Sequence, residues 1–322
     1  MLINSINSLY LTIEIFDMVT IQQLQYMITL SEEGSFNKAS EKCFVTQPTM
    51  SMQVKKAEDI LGYPVFDRSQ QPIALTPFGE RFIPIARDVI NEYNQIEQLT
   101  KIYSGSHREI IRMGVIPTIS AYLIPDLYQR WGAFSSDFQL VVEEMKTEEL
   151  IGAMEEDKLD VAILSGPYHN PKFRVTKLFQ EEILAYYPNT DKGILDTNDL
   201  ESAHPWLLTP GNCLRTQIMH FCNLKTTTDD WDYQGGNMDM LMEMVDQYGG
   251  YTLIPEFYTR KKQRNFIRIV SEVGEVPARE IIALTKNRSL KWDKIEGLLR
   301  EAQLLYSEAG KEYERFKLLN WS

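Results

Sequence analysis

Two cysteines in the run PGNCLRTQIMHFC, Cys213 and Cys222, stand nine residues apart and are the side chains best suited to covalent chemistry. Gly211-Asn212 reads as a helix start, which puts Cys213 in the first turn. There the positive end of the helix and Arg215 would both favour the thiolate. A thiolate with access is a nucleophile toward peroxide, and a second cysteine can resolve the resulting sulfenic acid as a disulfide. In a continuous helix nine residues span about 13.5 Å, whereas the Cα atoms of a disulfide lie within about 7 Å. Pairing these two would therefore unwind the segment. Spacing alone leans the other way, to two buried, inert cysteines.

Other chemistries find less support. The chain has no GxSxG nucleophile elbow, no CxxC pair and no phosphate-binding loop. His204 and His220 together with the two cysteines match no compact zinc spacing, so neither a metal nor a cofactor is expected. A thiol peroxidase-like enzyme is the catalytic alternative that Cys213 leaves open. The third cysteine, Cys43, lies on an N-terminal helix and reads as core. Three cysteines in 322 residues make no disulfide scaffold, which points to a reducing cytoplasm. The absence of any apolar run near twenty residues argues against a membrane partner.

A second chemistry-bearing stretch lies between Phe36 and Gly79. It reads as a helix, a tight turn, a second helix and a short basic hairpin. On the second helix Met50, Val54, Ala57 and Leu61 form one apolar stripe, while Thr49, Met52, Lys55 and Lys56 point away, with Ser51 and Gln53 flanking. Thr46 sits at the N-cap and Gln47-Pro48 opens the first turn. Short hydroxyl and amide groups at a helix start can hydrogen-bond base edges and phosphates. Lys55, Lys56 and Arg68 can neutralise phosphate charge. Double-stranded DNA is the partner this pattern implies.

The net charge of -12 looks wrong for such a partner. Between Phe36 and Phe82, however, six Lys/Arg face five Asp/Glu, and the acidity lies in runs such as MEED and TTTDDWD. An acidic body with a locally neutral reading head suppresses indiscriminate DNA binding.

Residues 76–103 carry a long helical pattern with Phe82, Val89, Tyr93, Ile96 and Leu99 near one seam and Pro84 near its start. Ser104-Gly105-Ser106 breaks it. Beyond that the pattern alternates: strand IIRMGVIP, helix YLIPDLYQRW, strand FQLVVEE, helix EELIGAMEEDKL and strand DVAILSG. This βαβαβ series implies a largely parallel sheet covered by helices. A second series follows: strand WLLT, a helix from Cys213, a strand near DYQGG, the helix MDMLMEMVDQYGG and strand YTLIP. The late strand EIIALT is expected back in the first lobe, with a final helix from Leu290 onward. Ligand clefts in such sheets lie outside the strands' carboxyl ends. That places Thr118 and Ser120 of VIPTIS at the cleft, unless Thr118 merely caps its helix.

The element order around TQPTMS and the wing VFDRSQQPIALTPFGE resemble the winged helix-turn-helix of LysR-type transcriptional regulators. The resemblance starts near Met18 and covers nearly all that follows. It implies a winged helix-turn-helix over 18–78, a linker/dimerisation helix over 79–106, and a two-lobed α/β, periplasmic-binding-protein-like effector domain over 107–322. Lobe I would comprise 107–187 plus 281–322, and lobe II 188–280. Residues 1–17 are expected to be an extra arm or a mis-assigned start. A homo-oligomer, dimer or tetramer, and contact with RNA polymerase are the implied partnerships.

The segment around Cys213 and the stretch VIPTISAYLIP are similar to the OxyR subfamily, which senses hydrogen peroxide. This similarity implies a peroxide-sensing activator switched by a Cys213–Cys222 disulfide, with Thr118, Ser120, Asn212 and Arg215 around the effector. The chain departs from that pattern at Asn212, where a histidine is common, and at Thr216, where an aspartate is common. A second threonine expected after YLIP has no counterpart in DLYQRWGAF. The alternative is a LysR-type regulator that binds a small organic metabolite between its lobes.

Overall fold

The structure, a computed structural model, describes residues 18–103, 109–130, 132, 138–200, 203–224, 237–307 and 316–320. The arm 1–17, the break at 104–106 and the strand expected near 232–236 lie outside the described residues. The chain divides into two compact units, Met1–Tyr103 and Ser104–Ser322.

In the first unit, α1 (Ile21–Glu33), α2 (Phe36–Lys42) and α3 (Gln47–Leu61) precede a two-stranded wing, β1 (Phe66–Asp67) and β2 (Ala74–Leu75), and the long α4 (Pro77–Tyr103). Thr20 starts α1: its hydroxyl accepts from the Gln23 N–H while the Gln23 side chain accepts from the Thr20 N–H. Thr46 caps α3 in the expected way, accepting from the Thr49 N–H, and Pro48 sits in the first turn, where no helix bond is lost. Met50, Val54 and Ala57 are fully buried with Met27, Leu30 and Ala39, while Leu61 packs only at the edge. The helix α4 continues through Pro84. Phe82 packs onto the small core. Val89, Tyr93, Ile96 and Leu99 remain exposed, so the expected seam is an apolar stripe along the outer part of α4.

The second unit opens with β3 (Glu109–Val115), α5 (Pro117–Arg130), β4 (Phe138–Glu144), α6 (Thr147–Glu155) and β5 (Val161–Ser165). β3 pairs in parallel with both β4 and β5, as the alternating pattern requires. Gly114 permits the covering layer to close: a Cβ there would stand 2.2 Å from a Leu150 methyl and 2.5 Å from one of Leu159.

The chain continues through β6 (Phe173–Tyr186), β7 (Ile194–Asp196), α7 (Thr197–Leu200), α8 (Cys213–Phe221), α9 (Met238–Tyr248), β8 (Thr252–Pro255) and α10 (Glu256–Thr259). It ends with β9 (Ile267–Val270), β10 (Val276–Lys286), α11 (Trp292–Tyr306) and β11 (Phe316–Leu318). β10 lies antiparallel between β5 and β6, so EIIALT does rejoin the first series, and its start takes β11 in parallel. β6 runs on beyond β10 to pair with β8 and β9, and β9 carries β7. Long strands shared by two halves give the two-lobed plan.

One expected strand is absent. Residues 206–209 of WLLT form no strand, and only Pro205 bridges to Tyr251. Prolines at 205 and 210 bracket the run and remove ladder donors. Its backbone is held singly: the Trp206 N–H donates to the Tyr251 carbonyl, and the Thr252 hydroxyl donates to the Trp206 carbonyl.

Candidate functional site

The first unit presents the start of α3. Thr46 and Thr49 share a hydroxyl–hydroxyl bond of 2.8 Å, Gln47 and Pro48 are exposed, and Ser51 is half-buried. Lys55 and Lys56 are exposed and, among the described residues, form no ion pair. Two expected contacts have other partners. The Gln53 side-chain oxygen accepts from Gln23 Nε2 at 3.0 Å, which ties it to α1. Arg68 pairs with Glu58 at 2.8 Å and lies over the Phe36 ring. Glu58 also accepts from the N–H groups of Val65 and Phe66, so this cluster fastens the wing to α3. A cation already paired offers less charge to a phosphate.

In the second unit, Cys213 is the first residue of α8 and Asn212 its N-cap, as expected. Burial, however, pushes the Cys213 thiol up rather than down. Arg279 is the largest influence in the opposite direction, followed by the Thr147 hydroxyl. The cation acting on Cys213 is therefore Arg279 on β10 and not Arg215. Arg215 Nη1 donates to the Leu208 carbonyl at 2.7 Å and braces the loop before α8. The buried Thr147 hydroxyl has no nitrogen or oxygen partner among the described residues.

Thr118 does not cap α5. Its hydroxyl accepts from Arg279 Nη1 at 2.9 Å and its carbonyl from Nη2 at 3.1 Å. Ser120 turns its hydroxyl to Glu144 at 2.5 Å, and the Asn212 amide donates to Thr209 Oγ1 at 2.9 Å. Arg279 Nε meets Glu181 Oε1 at 2.8 Å, with both side chains fully buried, and the Tyr122 hydroxyl donates to the same oxygen at 2.7 Å. Thr118, Thr147, Cys213 and Arg279 thus come from four different elements.

Cys222 is the C-cap of α8 and is buried; burial pushes its thiol up to about 12. Both thiols are free and an unbroken helix separates them. Cys43, half-buried at the end of α2, lies in the other unit. Among the described residues no group of His, Cys, Asp and Glu could hold a metal ion.

Sequence reading missed Thr147, Arg279 and Glu181. An arginine inside VPAREII was a usable signal, because a cation in a buried strand needs a partner. Thr147 follows a strand end as Thr118 does, but nothing local aims it at Cys213.

Residues 21–80 match the family model described as bacterial regulatory helix-turn-helix protein, lysR family, and residues 104–302 match the LysR substrate binding domain. The regulator EstR of Acinetobacter baylyi is 27% identical over 83% of this chain and 90% of its own length. A hydrogen peroxide-inducible genes activator of Pectobacterium carotovorum is 26% identical over 90% of this chain and 99% of its own. A full-length OxyR variant from Pseudomonas aeruginosa superposes with a TM-score of 0.65 at 26% identity, covering 89% of this chain and 98% of that one. Among the described residues, no helix is long and apolar enough to cross a membrane.

Proposed function

We propose that this chain, which belongs to the LysR family of bacterial transcriptional regulators, binds duplex DNA as a symmetric oligomer and is switched by peroxide through Cys213 and Cys222. The carrying observation is Cys213 at the first turn of α8, with Arg279 and the Thr147 hydroxyl acting on its thiol and Cys222 at the other end of the same helix. Likeness to peroxide-inducible activators supports the same reading.

In this reaction the Cys213 thiolate attacks one peroxide oxygen and the O–O bond breaks. The leaving hydroxide takes a proton and departs as water, leaving a sulfenic acid on Cys213. Arg279 favours the thiolate and Thr147 is placed to hydrogen-bond the peroxide. Cys222, deprotonated, then attacks that sulfur; the disulfide forms and a second water leaves. Two thiols are oxidised by two electrons and one peroxide is reduced to two waters. Nine helical residues hold the Cα atoms about 13.5 Å apart, so closing the bond requires α8 to unwind. That unwinding is the conformational signal.

At the other unit, Thr46 to Lys56 reads the major groove and the exposed stripe of α4, Val89 to Leu99, joins two copies. A dimer doubles the bases read, which one head needs for useful specificity. A second reading, a small organic effector held near Thr118 and Ser120, draws on the equal likeness to EstR, whose name carries no peroxide, and on the raised Cys213 thiol.

The test is mass spectrometry of thiol state before and after stoichiometric peroxide. A Cys213–Cys222 disulfide that is lost in Cys213→Ser supports the switch. Thiols that survive stoichiometric peroxide sink it and favour the organic effector.

A further inference from the structure

The helix α8 lies against the strand that carries Arg279: Gln217, one turn after Cys213, donates to Ser165 Oγ at 3.0 Å, and Ser165 pairs with Ile281, two residues past Arg279. The guanidinium there is not a bare charge. Arg279 Nε lies 2.8 Å from Glu181 Oε1, and neither side chain has any exposure. Arginine stays protonated at any physiological pH. A lone cation would stabilise the thiolate by an energy that varies as the inverse of distance, and away from water that energy would be large. A cation with a carboxylate in contact projects only the difference between the two. The groups around this pair complete its wiring. Tyr122 on α5 donates to the same Glu181 oxygen at 2.7 Å, and the Phe257 N–H on α10 approaches Glu181 Oε2 at 3.4 Å. The Tyr306 hydroxyl on α11 donates to Asp126, which Lys261 pairs. Burial raises the Glu181 carboxyl, and Arg279 and Tyr122 oppose that rise. The anion nearest the guanidinium is therefore Glu181, on β6, three elements before α8 in the chain.

We propose that Glu181 is the restraint on the sensor: by neutralising Arg279 it withholds that cation from the Cys213 thiol and sets how much peroxide the protein tolerates before it responds. This rests on Cys213 being the reactive thiol. Glu181 touches neither peroxide nor sulfur and is a positioning residue that acts through Arg279. The expected sign sets it apart from a structural ion pair. Removing a purely structural carboxylate would weaken the fold and leave thiol acidity unchanged. Removing the restraint makes the thiol more reactive.

The experiment measures iodoacetamide alkylation of Cys213 against pH in the full chain carrying Cys43→Ser and Cys222→Ser. In E181Q, which keeps the side-chain shape and an acceptor, the midpoint should fall by about one pH unit, a roughly tenfold faster reaction at fixed pH below it. E181D should keep the parent profile. R279Q should raise the midpoint. E181Q/R279Q, a neutral pair, should return it toward the parent. Should E181Q alone fail to fold because it strands a buried guanidinium, the neutral pair against the parent carries the test: if Glu181 already neutralises Arg279, removing both charges leaves the midpoint in place, whereas removing an unrestrained cation raises it. An E181Q profile that superimposes on the parent, or a neutral pair whose midpoint lies well above the parent's, overturns the proposal. Peroxide consumption is read separately. Alkylation shifts without any peroxide reaction would remove the peroxide reading and leave the restraint standing.

Discussion

The side-chain amide of Gln217 donates to the backbone carbonyl of Leu319 at 2.8 Å, across 102 residues of sequence. Gln217 lies on α8 between the two cysteines, is fully buried, and also donates to Ser165 Oγ at 3.0 Å at the end of β5. Leu319 follows β11 and its N–H donates to the Ala278 carbonyl, one residue before Arg279. The helix that the proposed disulfide would unwind is thus fastened to β5 and, through the chain's last described segment, to β10.

Gln217→Ala should remove both bonds and leave the Leu319 carbonyl without this donor. The expected loss is about 1–3 kcal/mol, the cost of a buried group left unpaired. Urea unfolding of the reduced protein measures it. A variant as stable as the parent would mean that α8 and the C-terminal segment are not energetically joined.

The buried thiols make stability fall at alkaline pH. Burial raises Cys222 from 9.0 to about 12. A folded value above the unfolded one means the folded state binds the proton more tightly, so this stability is intact below pH ~9 and is lost as pH rises toward 12. Cys213 is raised in the same direction. The buried hydroxyls of Tyr251 and Tyr306 are raised as well, and act from above pH ~10. Thermal melts of parent and Cys222→Ser between about pH 8.5 and 10 isolate the thiols. The parent should lose melting temperature more steeply; parallel curves would contradict the assignment.

Phe44, in the turn between α2 and α3, has a φ of 55° and is 96% exposed. A bulky residue in the left-handed region costs free energy that asparagine largely avoids. Phe44→Asn should therefore stabilise the protein by about 0.5–1 kcal/mol, since no buried area is lost. Equilibrium unfolding checks the sign, and destabilisation would show that the exposed ring has a partner.

For the reading head, Gln47→Ala and Ser51→Ala should relax sequence choice by about 1–3 kcal/mol per lost base contact. Lys55→Ala should weaken binding to every duplex and lower the salt slope by about one. Fluorescence anisotropy across a salt series separates the two effects. Unchanged affinity and slope in all three variants would refute α3 as the reader.

The sequence by itself determined the local elements of this regulator. Thr46, Pro48 and the Met50–Val54–Ala57 stripe fix α3 because capping and helical periodicity act within a few residues. The start of α8 at Cys213 and the alternation from β3 to β5 were legible for the same reason. The WLLT run misled because an apolar run between prolines looks like a strand until its hydrogen-bond partners are known. What only the tertiary structure decided is the electrostatics of the thiol. Arg215, two residues from Cys213, turns to Leu208, while Arg279, sixty-six positions later, supplies the cation, and Glu181 on β6 supplies its counter-charge. Coulomb interaction depends on distance through space and on burial, and here β6, β10, α5, α6 and α8 must all be packed before those distances exist.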